Sequence, residues 1–247
     1  MEGIEIQKKV NTLITNFDLE KPYKSVPFLA GLYKDISKLD NNYWKAIKLK
    51  EVSDLIQNCL GLRLQFNIFQ ETGVVKTSLP TQLLILNPSP VAIKLEKIDG
   101  AINLEISKKL VQNQPWESRQ NYQIPNKIST PYWLLKNGDL GNYYVQNESL
   151  KGLAETPNPI KVRFHVMINS TYIPIQVPLK YKTTDRVAGE VLQNFQILPQ
   201  ATIQLKDKVI LFQKDKVKKV SEDLYVGGVF YDNGSNQEKV YNAINKG

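Results

Sequence analysis

The hydrophobic period of this chain changes once, at Leu62, and that change limits the fold more than any other feature. Before it, Ile4, Ile6, Val10, Leu13, Ile14 and Phe17 recur close to a 3.6-residue period. That spacing predicts an amphipathic helix, interrupted over Asp18 to Tyr23, where Pro22 sits. A second helix is expected to open at Ser25 as N-cap, with Pro27 in its first turn, and to run to Leu39. Its apolar face would be Leu29, Leu32, Tyr33, Ile36 and Leu39. After the turn Asp40-Asn41-Asn42, a third helix would carry Trp44, Ile47, Val52, Leu55, Ile56, Cys59 and Leu60. Gly61 fits its C′ position. Helices joined by turns this short pack as an antiparallel hairpin or a small bundle.

From Leu62 the period is 2. Leu62, Leu64, Phe66 and Ile68 alternate with Arg63, Gln65 and Asn67, the pattern of a half-buried strand. Further strands are expected at Thr81–Leu86, Val91–Ile98, Ile102–Val111 and Ser118–Ile124, separated by Asn87-Pro88-Ser89-Pro90 and Asp99-Gly100. Pro131–Leu135 and Gly141–Val145 read as strand-like. Ile160–Ile168 and Tyr172–Tyr181 form the clearest hairpin, with Val162, Phe164, Val166 and Ile168 on one face and Arg163, His165 and Met167 on the other. The polar stretch Thr183–Glu190 reads as a break. Beyond it, Phe195–Leu198, Thr202–Leu205 and Lys208–Phe212 look like strands, and Asp232–Gln237 looks like loop. Short strands without intervening helices predict an immunoglobulin-like antiparallel β-sandwich, so the fold class expected is α+β, helices first.

Composition narrows the chemistry. With 42% hydrophobic residues in 247, the chain can build a core, which excludes intrinsic disorder. No apolar run reaches the ~20 residues of a membrane helix, so no membrane span is expected. The single cysteine, Cys59, excludes an internal disulfide and any zinc site built on two cysteines. The single histidine, His165, excludes paired-histidine metal sites. Its strand phase places it on the outer face, beside no nucleophile or acid in its own strand. It therefore reads as solvated or cross-strand-packed rather than as a catalytic base.

The other candidates are read the same way. Asp185 with Glu190, and Glu222 with Asp223, lack the apolar flanks that would raise one carboxyl for acid catalysis, and read as solvated loop charges. No glycine-rich phosphate cradle is present. The net charge of +8 gathers partly in Lys206, Lys208, Lys214, Lys216, Lys218 and Lys219. That run lacks the arginines and stacking rings of a nucleic-acid surface and reads as lysine guarding a strand edge, so no nucleic-acid partner is expected. Trp116, Tyr132, Trp133, Tyr143 and Tyr144 fall within thirty residues. Displayed in a row they would form a glycan-contacting platform; packed inward they would be core.

The order of short motifs is more distinctive than any one of them. Tyr43-Trp44-Lys45-Ala46-Ile47-Lys48-Leu49-Lys50-Glu51-Val52, ending at Cys59-Leu60-Gly61-Leu62, is followed by Thr130-Pro131-Tyr132-Trp133-Leu134 and Gly141-Asn142-Tyr143. Then come Leu150-Lys151-Gly152-Leu153, Pro157-Asn158-Pro159, Val162-Arg163-Phe164, Val177–Lys182 and Asp185–Glu190. This series, over residues 5–212, resembles the region C-terminal to the catalytic domain in long bacterial PIG-L/LmbE-type deacetylases. The resemblance implies a zinc-dependent parent enzyme that removes N-acetyl groups from glucosamine-type sugars, exported to the periplasm or secreted. It implies zinc for a catalytic domain absent from this chain, and no cofactor within it, since the family's His-Pro-Asp-Asp motif has no counterpart here. No catalytic, cofactor-binding or metal residue is carried over.

The organisation expected is a helical connector over 1–62, a β-sandwich over 63–189, and a further β segment with a C-terminal tail of open extent over 190–247. The function expected is a non-catalytic accessory region that supports the catalytic domain of the same parent chain. The alternative is a free-standing carbohydrate- or protein-binding sandwich.

Overall fold

The computed structural model describes residues 2–40, 43–205, 224–232 and 235–243, with side chains from 3 to 201 outside the gap at 41–42. It is a mixed α+β structure with three helices and a large, curled, mostly antiparallel sheet. The helices are α1 (Glu2–Thr15), α2 (Val26–Lys38) and α3 (Tyr43–Leu60). The strands are β1 (Arg63–Ile68), β2 (Thr72–Val74), β3 (Ser78–Leu86), β4 (Ile93–Gly100), β5 (Leu104–Lys109) and β6 (Trp116–Gln123). They continue with β7 (Lys161–Ile168), β8 (Thr171–Asp185), β9 (Gly189–Asn194), β10 (Gln196–Leu198), β11 (Ala201–Leu205), β12 (Leu224–Asp232) and β13 (Ser235–Ala243). The chain divides into two compact units. The first is Met1–Glu71, Pro80–Tyr122 and Pro157–Phe195; the second is Thr72–Leu79, Gln123–Thr156 and Gln196–Gly247.

In the first unit the helices end where local chemistry stops them. Asp18 closes the turn after α1: its carboxylate accepts from the backbone N–H groups of Glu20 and Lys21, and from Lys24 Nζ at 2.9 Å. A 3-10 turn at Pro22–Ser25 leads into α2. Ser25, expected as a side-chain N-cap, already has helical φ and ψ and makes no cap hydrogen bond. The preceding 3-10 turn continues straight into the helix, so its backbone replaces the cap. α3 stops at Gly61, whose φ of +63° belongs to the left-handed region. Leu62 N–H reaches Gln57 O at 3.0 Å and Gly61 N–H reaches Asn58 O at 3.1 Å, a Schellman closure with the glycine at the C′ position expected for it.

α2 and α3 join the core, α2 burying Val26, Leu29, Ala30, Leu32, Tyr33 and Ile36, and α3 burying Val52, Ser53, Ile56 and Leu60. α1 buries none of its residues. Its Lys9 Nζ pairs with Asp35 of α2 at 2.5 Å, an exposed contact of small energetic weight.

The sheet of the first unit runs β5-β4-β7-β8-β1-β3-β6, with β9 pairing β8. β8 is long because it serves two sets of partners. Thr171–Pro178 pairs with β7, and its later residues pair with β1 and β9. The pairing with β1 is parallel; the other neighbours whose registers follow are antiparallel. The period-2 reading holds closely: Val162, Phe164, Val166 and Ile168 are all fully buried. The polar stretch at Thr183–Glu190, expected as a break, is the end of a hairpin. Asp185 accepts from Val187 N–H at 2.7 Å and Ala188 N–H at 2.8 Å, and Gly189 at φ +75° opens β9.

The second unit pairs β10 with β2 in parallel and stacks β11-β12-β13 as a meander. Two expectations fail there. Pro131–Leu135 is a 3-10 turn over Tyr132–Leu134, and Gly141–Val145 supplies only an isolated bridge, Asp139 to Asn142. Apolar and aromatic residues in runs of four or five are ambiguous in period, and proline and glycine at these run starts favour turns. Asp232–Gln237, expected as loop, lies where β12 and β13 pair, with register reaching Asp232 to Ser235. The Asn-Gly pair in the sequence of that polar stretch is itself a hairpin signal. Lys208–Phe212 and the lysines at 206–219 lie outside the described residues.

Candidate functional site

The outer face of β5, β4, β7 and β8 carries the richest polar chemistry of the first unit, and a register fault organises it. Leu95 of β4 pairs with Val166, and Lys97 pairs with His165, so Glu96 is an extra residue against β7. On the other side Leu95 pairs with Lys108 and Lys97 with Glu105, so Ile106 and Ser107 together face Glu96. The extra residue on β5 is absorbed by Ser107, whose φ is +52°. The bulge thus crosses three strands and breaks the regular alternation of side chains, as bulges beside functional sites do.

Asp99 is the hub of this face. Its Oδ1 accepts from Arg163 Nε at 2.7 Å, and its Oδ2 lies 2.9 Å from His165 Nε2 and 3.9 Å from Lys97 Nζ. Burial pushes the Asp99 carboxyl up, but the hydrogen bonds and fields of Arg163 and His165 outweigh it and hold the group below the usual range. His165 is on the outer face, yet only 6% exposed, because Tyr172 of β8 lies over it with ring centroids 5.0 Å apart and a 30° tilt. This is the cross-strand packing expected of it; the acid missing from its own strand comes from β4. The carboxylate places the ring proton on Nε2. Nδ1 is enclosed without a hydrogen-bond partner among the described residues.

Beside this network is an open depression of about 510 Å³. Glu96, Glu105, Lys97 and Ser107 give it polar lining, Ile106 and Met167 an apolar part, and Tyr172 an aromatic ring. Glu96 is held by Lys94, its Oε1 2.8 Å from Nζ. The Tyr172 hydroxyl is pushed up by burial and by the nearby Asp99, Glu105 and Glu96 carboxylates, against the opposing Arg163.

A second ionic hub sits on β9. Glu190 accepts from Lys182 Nζ at 2.8 Å, from Gln65 Nε2 at 2.9 Å, and from Arg63. Lys182 is the largest of the influences that hold this carboxyl at about 2, followed by burial acting in the opposite sense and then by Gln65 and Arg63. Glu190 is thus exposed, as a solvated charge would be, but it is tied to three partners rather than free in a loop. Strand β1 supplies Arg63 and Gln65, far away in sequence, which is why the sequence hid the pairing. Glu222 and Asp223 lie outside the described residues.

The five aromatic candidates are not one platform. Trp116 belongs to the first unit and is half-buried; the other four belong to the second. Tyr132 is 8% exposed, with Trp133 edge-on at 4.9 Å and its hydroxyl donating to Leu153 O at 2.9 Å. Its ring is core, as the packed alternative required. Trp133 is half-buried beside it. Tyr143 and Tyr144 are exposed, and the Tyr144 hydroxyl donates to Asp139. No cluster of three or more His, Cys, Asp or Glu residues suited to a metal occurs among the described residues, and no described helix is long and apolar enough to cross a membrane. The Cys59 thiol is pushed up by burial.

No family model matches this chain, and no curated protein does. A solved structure, the Pseudomonas fluorescens alkylpurine DNA glycosylase AlkC bound to DNA containing an abasic site analog, is similar at 8% identity and a TM-score of 0.22. The similarity covers 66% of this chain and 48% of that one, so the chain spans about half its length. A likeness this low carries no argument about fold or function.

Proposed function

We propose that the chain is a non-catalytic accessory region of a PIG-L/LmbE-type zinc-dependent sugar N-deacetylase, and that its helical segment docks on the catalytic domain of the same parent. The observation that carries this reading is the apolar surface left open on the helices. No described side chain of α1 is fully buried, with Ile6, Val10 and Leu13 half-buried, and Ile4, Ile14 and Phe17 of the first helical segment are exposed, as are Phe28, Tyr43 and Trp44. Exposed apolar side chains in such number on a folded unit are what a covering surface would use, and Tyr43 and Trp44 stand together, with ring centroids 5.5 Å apart. The zinc of such an enzyme belongs to the catalytic domain, and no residue of this chain is assigned to it.

The finer fold reading, an immunoglobulin-like sandwich, is part of the same proposal. What supports it is β8, which exchanges β7 for β1 and β9 along its length, as strands shared between two sheets do. The second reading, a free-standing carbohydrate-binding module, is favoured by the exposure of Tyr143 and Tyr144.

Titration of the chain with a PIG-L-type catalytic domain from the same genome, followed by calorimetry, tests the first reading. A one-to-one complex lost in Ile14→Ser and Trp44→Ser at unchanged melting temperature is the expected result. Release of acetate from N-acetylglucosamine substrates by the purified chain alone, or failure of the two to associate, would overturn it. Quenching of tryptophan fluorescence by glycan, abolished in Tyr143→Ala, would favour the second reading.

A further inference from the structure

We propose that Asn137-Gly138 is a self-modifying site: the asparagine cyclises to a succinimide, and the isoaspartate that follows opens the turn at Asp139–Asn142. The site stands apart from the accessory reading and needs only these two residues and water. The Gly138 backbone nitrogen gives up its proton to solvent base and attacks the Asn137 side-chain carbonyl carbon. The new C–N bond closes an imide ring, and the side-chain nitrogen leaves as ammonia. Water then opens the ring at one of its two carbonyls. One opening restores the original backbone with aspartate at 137; the other reroutes the backbone through the side-chain carbon, as isoaspartate. The attack is intramolecular, so proximity supplies what a catalyst otherwise would.

The second unit leaves this pair open to the reaction. Asn137 is exposed, and neither its side chain nor the Gly138 N–H makes a hydrogen bond with a described residue. Gly138 has no side chain to shield its nitrogen, and the fold keeps glycine there, because a Cβ would collide with the Asn142 carbonyl oxygen. That carbonyl belongs to a closed turn, in which Asn142 N–H donates to Asp139 O at 3.1 Å and Gly141 has φ +85°. Other asparagines are held. Asn147 Oδ1 accepts from Ser149 N–H at 3.1 Å and Ser149 Oγ at 2.8 Å, which occupies the amide that would react. Asn169-Ser170 is exposed, but both residues sit at positive φ in the β7–β8 turn, closed by the Ile168–Thr171 pair, and cyclisation has to break that turn. The chain's other Asn-Gly pair, Asn233-Gly234, lies outside the described residues. Isoaspartate at 137 inserts a methylene into the backbone just before Gly138, which already packs against Asn142. The turn must then give way, and with it the hydrogen bond of the Tyr144 hydroxyl to Asp139. Aspartate at 137 adds a charge and leaves the backbone as it was.

Ageing the full chain at mildly alkaline pH, followed by tryptic digestion and mass spectrometry, tests the proposal. Cleavage after Lys136 and Lys151 places Asn137, Asn142 and Asn147 in one peptide, so their conversions are compared directly. The expected result is half-conversion at Asn137, as separately eluting isoaspartate and aspartate forms, before Asn142, Asn147 or Asn169 shows any acid. A synthetic peptide of residues 136–144 should convert at a similar rate. Hydroxylamine, which cleaves a chain at a succinimide, should release a fragment ending at residue 137 that is absent from Asn137→Ser. In the aged chain, amide exchange over Asp139–Tyr144 should be faster than in Asn137→Asp, which carries the charge without the methylene. Conversion about tenfold slower in the folded chain than in the peptide would mean that the fold adds a barrier, and would overturn the proposal. So would conversion at Asn142, Asn147 or Asn169 as fast as at Asn137, or equal exchange in the aged chain and Asn137→Asp. Asn137 is exposed, so both variants are expected to fold, and an unchanged melting temperature verifies that.

Discussion

β7 and α1 are both amphipathic in sequence, and they meet opposite fates. Four alternate residues of β7 are fully buried between strands on both sides, whereas α1 has the right apolar spacing and half-buries only Ile6, Val10 and Leu13 among its described side chains. The difference lies in the partners that the fold supplies. β7 has β4 and β8 as neighbours, while α1 is left with an exposed ion pair to α2 and the flank of that helix. Apolar periodicity records a surface meant to be covered. It does not record whether the covering is within the chain, and the described side chains of α1 reach half-burial at most.

Mutations should separate the two regions sharply. The largest effect belongs to Phe164→Ala in β7, which removes a ring that is fully buried and should cost about 3–5 kcal/mol in a denaturant titration. Gly100→Ala comes next. The glycine has φ +110°, and a Cβ there would stand 2.7 Å from Lys161 O, so β4 must shift; a loss of about 1–3 kcal/mol is expected. If Gly100→Ala were neutral, the tight approach of β4 to β7 would not be real. Asp99→Asn should cost about 1–3 kcal/mol, because Arg163 loses a charged acceptor and the buried His165 loses the partner that fixes its tautomer.

Glu190→Gln should cost less, about 1 kcal/mol at neutral pH, since its partners are partly solvated and water screens them. Its pH dependence has a definite sign. The folded carboxyl is held at about 2, below its ordinary value of 4.5, so its contribution is complete above 4.5 and fades as pH falls toward 2. The wild-type chain should therefore lose stability over that window more steeply than Glu190→Gln does; parallel acid titrations would contradict the ionic hub. The smallest effect belongs to Ile14→Ser in α1. It should move the melting free energy by no more than about 0.5 kcal/mol, because the side chain is 66% exposed already.

The period switch at Leu62 carried most of the fold, because a strand buried on one face writes its alternation directly into the sequence. β7 and β8 were legible for that reason, and so was the end of α3, where only glycine fits comfortably at φ +63°. The runs at Pro131–Leu135 and Gly141–Val145 were not, since short aromatic segments fit strand and turn alike. The site was less visible than the fold. His165 could be placed on the outer face by phase alone, but Asp99 is sixty-six residues away and comes beside it only through the β4–β7 register. The bulge at Glu96 left no mark beyond a lapse in alternation. Asp99-Gly100, read as a turn breaker, turned out to hold both the ionic hub and a close approach of β4 to β7.

Hydrogen exchange of the chain, alone and then mixed with the deacetylase catalytic domain, tests the central contrast most directly. Alone, the amides of β7 should exchange only through global unfolding, whereas those of α1 should exchange through local opening and be far less protected. On addition of the catalytic domain, protection should rise over α1 and leave β7 unchanged. Protection of α1 equal to that of β7 in the isolated chain, or none gained in the mixture, would contradict the account.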